Sequence, residues 1–248
     1  MECIAIIPAR HDSTRFPGKP LAKISGKTMV QYVFEQCRKA LANVYVATDD
    51  ERIESEVNNF KGNVIMTAEH HQSGTDRLAE AITLINKKEG SNYDVVINVQ
   101  GDEPFVQPEQ IKELTDCFNS STTEIATLIK KTNSNEEVFN PNIPKVVINK
   151  NSEALYFSRS PIPYLRNIEK DKWQEHHSFN KHIGMYGYRY DILKKITQLE
   201  PSSLEKAESL EQNRWLENGF RIKVAYTNYE NHSIDTPEDL EKVSKKMR

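Results

Sequence analysis

The sequence predicts an α/β protein built on a mostly parallel central sheet flanked by helices, and three observations predict it. Between Cys3 and Ser120, short apolar runs alternate four times with stretches of helical periodicity, the pattern of right-handed βαβ units. Those runs have no wet face, as suits strands covered on both sides. The first of them, Cys3-Ile4-Ala5-Ile6-Ile7-Pro8, empties into a loop holding Arg10, Arg15, Gly18 and Lys19, the place where an open α/β sheet receives phosphates.

Taken in order, Met29, Val30, Val33, Phe34, Cys37 and Leu41 recur at helical spacing and put the first helix after the basic loop. Val44-Tyr45-Val46-Ala47 is a strand, and Thr48-Asp49-Asp50 behind it is a helix start. Ile53, Val57 and Phe60 line that helix, which Gly62 is expected to stop. Val64-Ile65-Met66 is a third strand. The polar stretch Glu69 to Gly74 follows, and Thr75 is expected to cap a helix carrying Leu78, Ala81, Ile82 and Ile85. Asp94 to Val99 is a fourth strand that ends in Gln100-Gly101-Asp102-Glu103-Pro104, and Pro108 opens a helix with Ile111, Leu114 and Phe118 inside.

After Ser120 the pattern changes. Ile125 to Ile129, Lys145 to Ile148 and Ala154 to Phe157 read as strands joined by loops, punctuated by Pro141, Pro144, Pro161 and Pro163. His182 to Tyr190 is an aromatic, glycine-bearing strand. One long helix is expected from about Ser203 to Asn218, closed by Gly219, and Arg221 to Thr227 is a last strand. Thr236-Pro237-Glu238-Asp239 then opens a C-terminal helix with a cap and a first-turn proline. With no internal repeat, low-complexity tract or linker, residues 1–248 read as one domain, of which about 140–215 is an elaboration.

Bulk properties exclude several classes. A net charge of −3 argues against nucleic acid as the main partner. No apolar run is long enough to span a bilayer, and the N-terminus lacks a signal-peptide pattern, so the expected location is cytoplasmic, with no membrane partner. Three cysteines without metal-ligand spacing fit that compartment; Cys3, Cys37 and Cys117 are expected to be buried thiols.

Arg10, Arg15 and Lys19 suit a solvated basic edge as well as a phosphate cradle; the glycine beside Lys19 favours the cradle. The loop is not a Walker motif, because its first glycine is missing and Pro20 follows the lysine. A Gly-x-Gly-x-x-Gly fingerprint is absent, so a dinucleotide reading fails. Asp102 and Asp235 each follow a strand and its loop, which directs them to the rim that carries the basic loop. Either suits a turn or cap, and both suit Mg²⁺, which takes one or two carboxylates and completes its shell with phosphate oxygens. Glu103 is expected to brace the turn.

The adjacent His70 and His71 are expected to diverge and not to share a metal. Gln72, Ser73 and the Gly74 backbone suit hydrogen bonds to a base or sugar. Arg77 reaches either an anionic group at the rim or a neighbouring acid. His182 and Tyr186 project to one face of their strand, and such a histidine is more often structural than catalytic. Trp215 and Leu216 read with Leu204 and Leu210 as core or interface packing, with Glu211 and Gln212 beside that stripe.

Together these motifs resemble a known family. Ile7-Pro8-Ala9-Arg10-x-x-Ser13-Thr14-Arg15-x-Pro17-Gly18-Lys19-Pro20-Leu21 resembles the opening signature of the cytidylyltransferases that activate acidic sugars. His71 to Arg77, Asn98 to Pro104, Phe139-Asn140-Pro141-Asn142, Ala154 to Arg159, the His182 to Tyr188 strand and Ile234 to Leu240 narrow the resemblance to the branch that activates 3-deoxy-manno-octulosonate (Kdo). The resemblance covers the chain end to end. It implies a Rossmann-like nucleotidyltransferase sheet, dimerisation through the middle elaboration, and the reaction CTP + Kdo → CMP-Kdo + pyrophosphate for lipopolysaccharide biosynthesis. It also implies that Ala9, Arg10, Ser13, Arg15 and Lys19 hold the CTP triphosphate, with Gln72, Ser73 and Gly74 near the cytosine. Asp102 and Asp235 would bind Mg²⁺, and catalysis would rest on them with Arg10 and Lys19. Arg77, Gln100, Arg159, His182, Tyr186 and Glu211 would surround the sugar acid. Phe16, where the family often has Leu, and Asp12, in place of a small residue, depart from the pattern. Another acidic sugar, such as a sialic acid or 8-amino-Kdo, and a catalytically silent sensor stay open as alternatives.

Overall fold

The computed structural model describes residues 1–12, 16–71, 73–230, 234 and 236–246, of which 242–246 by backbone alone. Its N-terminal half follows the predicted alternation: β1 (Cys3–Pro8), a small hairpin of β2 (Lys23–Ile24) and β3 (Lys27–Thr28), α1 (Met29–Ala40), β4 (Val44–Thr48), α2 (Glu51–Asn59), β5 (Asn63–Met66), α3 (Gly74–Glu89), β6 (Val95–Asn98) and α4 (Pro108–Asp116). The rest comprises β7 (Ile125–Lys131), α5 (Asn135–Phe139), β8 (Lys145–Ile148), β9 (Ala154–Ser158), α6 (Trp173–His176), β10 (Asn180–Arg189), α7 (Tyr190–Ile196), α8 (Ser203–Glu208), α9 (Glu211–Glu217), β11 (Ile222–Tyr226) and α10 (Pro237–Lys246).

The main sheet runs β11-β7-β10-β6-β1-β4-β5. β1 is parallel to β4 and β6, β4 to β5, and β7 to β11, whereas β10 enters antiparallel between β6 and β7. β8 and β9 form a hairpin attached to β10 through Lys181 and Lys145. Alternate residues of β1 serve opposite layers, as the strand period requires. Ile4 and Ile6 pack with Leu78, Ile82 and Ile85 of α3 and with Trp215, while Ala5 and Ile7 pack with Val30, Val33 and Phe34 of α1 and Ile111 of α4. Each fully buried Ile here contributes roughly 1.5–3 kcal/mol relative to exposure. The chain leaves β1 through α1 toward β4 on one side and returns to β6 on the other. The crevice beyond the C-terminal ends of β1 and β6 is therefore the switch point of the sheet.

Several expectations are corrected. The long helix over 203–218 is two short ones, because Ser209 turns left-handed (φ 51) between α8 and α9; Leu204, assigned to the apolar stripe, is exposed. Ser73, not Thr75, caps α3, its hydroxyl accepting from the Asp76 N–H. Lys61, not Gly62, takes the left-handed turn after α2 (φ 59). Gly62 is needed for packing: a Cβ there would sit 2.4 Å from the Phe60 ring and 2.8 Å from Val57. Cys37 is buried, whereas Cys3 and Cys117 are only half-buried. The His70 and His71 rings do not diverge but lie 4.8 Å apart, with His71 bonded to Glu80.

Candidate active site

The basic loop closes on itself. The Gly18 N–H donates to the His11 carbonyl at 2.8 Å, and Gly18 is left-handed (φ 71), so the glycine is required by its own turn whatever approaches it. That turn starts a single 3₁₀ turn, Lys19–Leu21, anchored by buried Pro20. From it Lys19 Nζ reaches Asp102 Oδ2 at 2.6 Å. The two side chains are 12% and 31% exposed, so the ion pair faces solvent while its stems are packed. Two motifs 83 residues apart thus meet at the switch point. Arg10 is exposed on the same strand exit, and Ala9 is buried, its N–H bonded to the Ala47 carbonyl at 2.9 Å.

The Gln100 to Pro104 turn is fixed against β1. A Cβ on Gly101 would lie 2.9 Å from the Pro8 carbonyl oxygen, closer than real contacts come, so only glycine lets the turn seat there. The Glu103 N–H closes it on the Gln100 carbonyl at 3.2 Å, and Glu103 is buried. Ser13, Arg15, Gln72 and Asp235 lie outside the described residues. The residue before Asp235 does not: Ile234 is fully buried with Ile24, Met29 and Phe105, and its N–H donates to the Asp102 carbonyl at 3.1 Å. Among the described residues no three His, Cys, Asp or Glu side chains cluster as a metal site.

A second group of predicted residues converges on the neighbouring end of β10. Between Ile183 and Tyr186 the strand carries two extra residues relative to β7; an even insertion preserves facing, so His182 and Tyr186 share a face with ring centroids 5.3 Å apart. Tyr186 also meets Trp215 edge-on at 5.1 Å, one helical turn beyond Glu211. Glu211 is gripped at both oxygens, by the Thr75 hydroxyl (2.8 Å) and by Arg214 (2.6 Å). Burial raises its pKa, and these two bonds and charges oppose the rise. Burial drives His182 down to about 3, so its ring is neutral, and burial holds the Tyr186 and Tyr188 hydroxyls protonated well above their ordinary range. Gln100 sits one step away, its amide reaching back toward Asn98.

The two arginines assigned to the sugar are engaged elsewhere. Arg77 is buried and bonds Asp49 and Thr67, both at 2.5 Å, so of its two predicted uses the structure shows the neighbouring acid. Arg159 donates to the carbonyls of Glu208, Pro141 and Ser209 and stitches the Pro141 loop to the break between α8 and α9. Lys145, which sequence reasoning passed over, is fully buried behind it. Its ammonium donates to the Asn140 and Ile143 carbonyls at 2.7 and 2.6 Å, and burial lowers its pKa to about 8. A lysine opening an otherwise apolar strand directly after a proline loop was the available signal.

Comparison with known proteins identifies the family. A family model described as cytidylyltransferase matches residues 4–224. A 3-deoxy-manno-octulosonate cytidylyltransferase of Parabacteroides distasonis is 56% identical over 98% of this chain and 96% of its own. One from Cytophaga hutchinsonii is 57% identical over 97% and 96%. The solved structure of a CMP:2-keto-3-deoxy-manno-octonic acid synthetase complexed with CTP is 42% identical, superposes with a TM-score of 0.90, and covers 100% of this chain and 98% of that one. The rim at which Lys19 meets Asp102 is thus carried on a chain alike from end to end, and this chain belongs to the cytidylyltransferase family.

Proposed function

We propose that the protein is a nucleotidyltransferase that transfers CMP from CTP to the anomeric hydroxyl of Kdo, releasing pyrophosphate and supplying an activated sugar for lipopolysaccharide. The observation that carries this reading is the Lys19–Asp102 pair (2.6 Å), which gathers a cation from the β1 exit and a carboxylate from the β6 exit at one point, on a chain 56% identical to a protein of that name. In the reaction, the sugar oxygen forms a bond to the α-phosphorus of CTP, the bond from that phosphorus to the β-phosphate oxygen breaks, and the hydroxyl proton is released. Arg10 and Lys19 offset the charge that grows on the departing pyrophosphate. Ala9, Ser13 and Arg15 complete the triphosphate cradle, and Gln72, Ser73 and Gly74 hold the cytosine.

Asp102 suits a hard divalent cation: it offers a carboxylate, the donor such ions prefer, and its side chain is partly exposed. Asp102 and Asp235 would hold Mg²⁺, which when bound favours ionisation of the sugar hydroxyl and neutralises phosphate charge. His182 and Tyr186 line the sugar side with Gln100 and Glu211. The role of His182 is orientation, through its contacts with Thr127 and the Tyr186 ring. Arg77 and Arg159 belong to the same side as braces: Arg77 through Asp49 and Arg159 through the carbonyls around Glu208. The working unit is a cytoplasmic homodimer formed through the middle elaboration, a reading supported by Leu155 and Tyr164, which that segment leaves 58% and 72% exposed.

The test is pyrophosphate release from CTP with Mg²⁺ against a panel of ulosonic acids, with the other nucleoside triphosphates as controls. Turnover with Kdo at least tenfold above sialic acid and 8-amino-Kdo, and with CTP alone among nucleotides, is expected. Preference for another sugar acid would reassign the substrate, and no release with any of them would remove the activity.

A further inference from the structure

Glu211 opens a short helix, yet its carboxylate is held at both oxygens. Oε1 takes Arg214 Nη2 at 2.6 Å, and Arg214 is itself held by Glu205 (3.3 Å) and the Leu199 carbonyl (2.9 Å). All three partners belong to the stretch 199–214, so that grip fixes Glu211 only within its own segment. The bond at Oε2 is different in kind. It comes from Thr75, 136 residues away, at 2.8 Å. Thr75 is the second residue of α3, directly after Ser73 and Gly74, the turn assigned to the nucleobase. It is buried, and its hydroxyl lies close to the Tyr188 phenol, in a wall made by Tyr186, Tyr188 and Trp215 with ring centroids 5.1–5.9 Å apart. The Glu211 side chain is only partly exposed, and the Thr75 hydroxyl, the bond that reaches it from outside its own segment, sets where Oε2 points.

We infer that Thr75 is a positioning residue for the sugar-acid substrate: its hydroxyl fixes the Glu211 carboxylate and ties the sugar side to the turn that receives the nucleotide. This rests on the function proposed above and adds a residue to it. Thr75 touches neither substrate; it orients the group that accepts hydrogen bonds from the sugar hydroxyls. Losing it leaves the β1 loop and Asp102 as they are, so the effect falls on sugar binding and not on the triphosphate.

The experiment measures KM for Kdo, KM for CTP and kcat for Thr75→Val, which keeps the shape and loses the hydroxyl, and for Thr75→Ser, which keeps it. For Thr75→Val the expected result is a KM for Kdo raised about tenfold, equivalent to about 1.4 kcal/mol, with KM for CTP and kcat within about twofold. Thr75→Ser should stay within about twofold throughout, and in a Glu211→Ala background Thr75→Val should add no further loss. If Thr75→Val does not fold, Thr75→Ala is read against the same criteria. Equal losses in the Ser and Val variants, a parallel rise in both KM values, or an unmoved KM for Kdo would overturn the inference while wild-type activity stands. A wild type inert toward Kdo would instead overturn the function on which it rests.

Discussion

Thr127 has one hydroxyl proton and two carbonyls facing it, Met185 at 2.7 Å and Ile183 at 3.3 Å, while His182 Nε2 lies 3.0 Å away. With its proton on the nearest acceptor, the Met185 carbonyl, the Thr127 oxygen accepts from His182 Nε2, which assigns the neutral ring as the Nε2–H tautomer. An unfolded histidine takes up a proton near pH 6.5, whereas the folded His182 does so only near 3. The unfolded chain therefore binds more protons between these values, and stability falls as the pH drops through that window. His182→Gln should flatten the fall, by up to about 1.4 kcal/mol per pH unit, in urea unfolding between pH 7 and 5; identical slopes in both proteins would refute the neutral ring. For Lys19→Ala, pyrophosphate release should drop roughly 10²-fold with the fold intact by circular dichroism, and an unchanged rate would return it to the surface. At this scale the sequence shows residue types and not what they face. Lys19 and Asp102 were legible as a shared rim because both follow apolar strands. Arg77 was legible only as a choice between a ligand and an acid, because Asp49 and Thr67 lie just past the ends of β4 and β5, away from it in sequence.

At the scale of elements, periodicity located the main-sheet strands and the helices through α4, but not the β2–β3 hairpin, whose two-residue strands are too short to show a period. It failed where a single residue breaks the pattern. Ser209 carries a left-handed turn that glycine usually takes, so α8 and α9 read as one helix. The two extra residues of β10 were invisible because an even insertion leaves the facing unchanged. The chain that returns after β11 is held by another arrangement without a local signature. Lys181, nearly buried on β10, joins Glu137 of α5 (2.6 Å) to Glu230 (3.0 Å), and Lys130 of β7 joins Glu230 and the Asn228 carbonyl, both at 2.8 Å. Four residues on, Ile234 is fastened to Asp102. Lys181→Met would take the cation from Glu137 while Glu230 keeps Lys130, so the loss expected is at most about 3 kcal/mol, the low end for breaking a buried pair, read from the urea midpoint. A loss below about 1 kcal/mol would mean that the clamp is ordinary surface pairing.

Across the whole molecule, the sheet order places β1 between β4 and β6, and the loops leaving those strands meet at one crevice. The elaboration adds a second wall: β10 runs antiparallel beside β6 and brings His182 and Tyr186 to the crevice that β1 and β6 open. Two satellite clusters secure the added parts, Val138, Trp173 and Phe179 under the elaboration and Ile24, Met29 and Ile234 under the basic loop. The same architecture explains why the nucleotide side was easier to read than the sugar side. Phosphate binding needs a strand exit, a glycine turn and cations, all contiguous in sequence, whereas the sugar side is assembled from α3, β6, β10 and α9.

The central claim is that carboxylates at this rim serve CMP transfer, and pyrophosphate release by Asp102→Asn and Asp235→Asn at saturating CTP, Kdo and Mg²⁺ tests it most directly. Both variants should fold, and each should lose roughly 10²-fold or more of wild-type turnover. Rates within a few-fold of wild type in either variant would contradict the account.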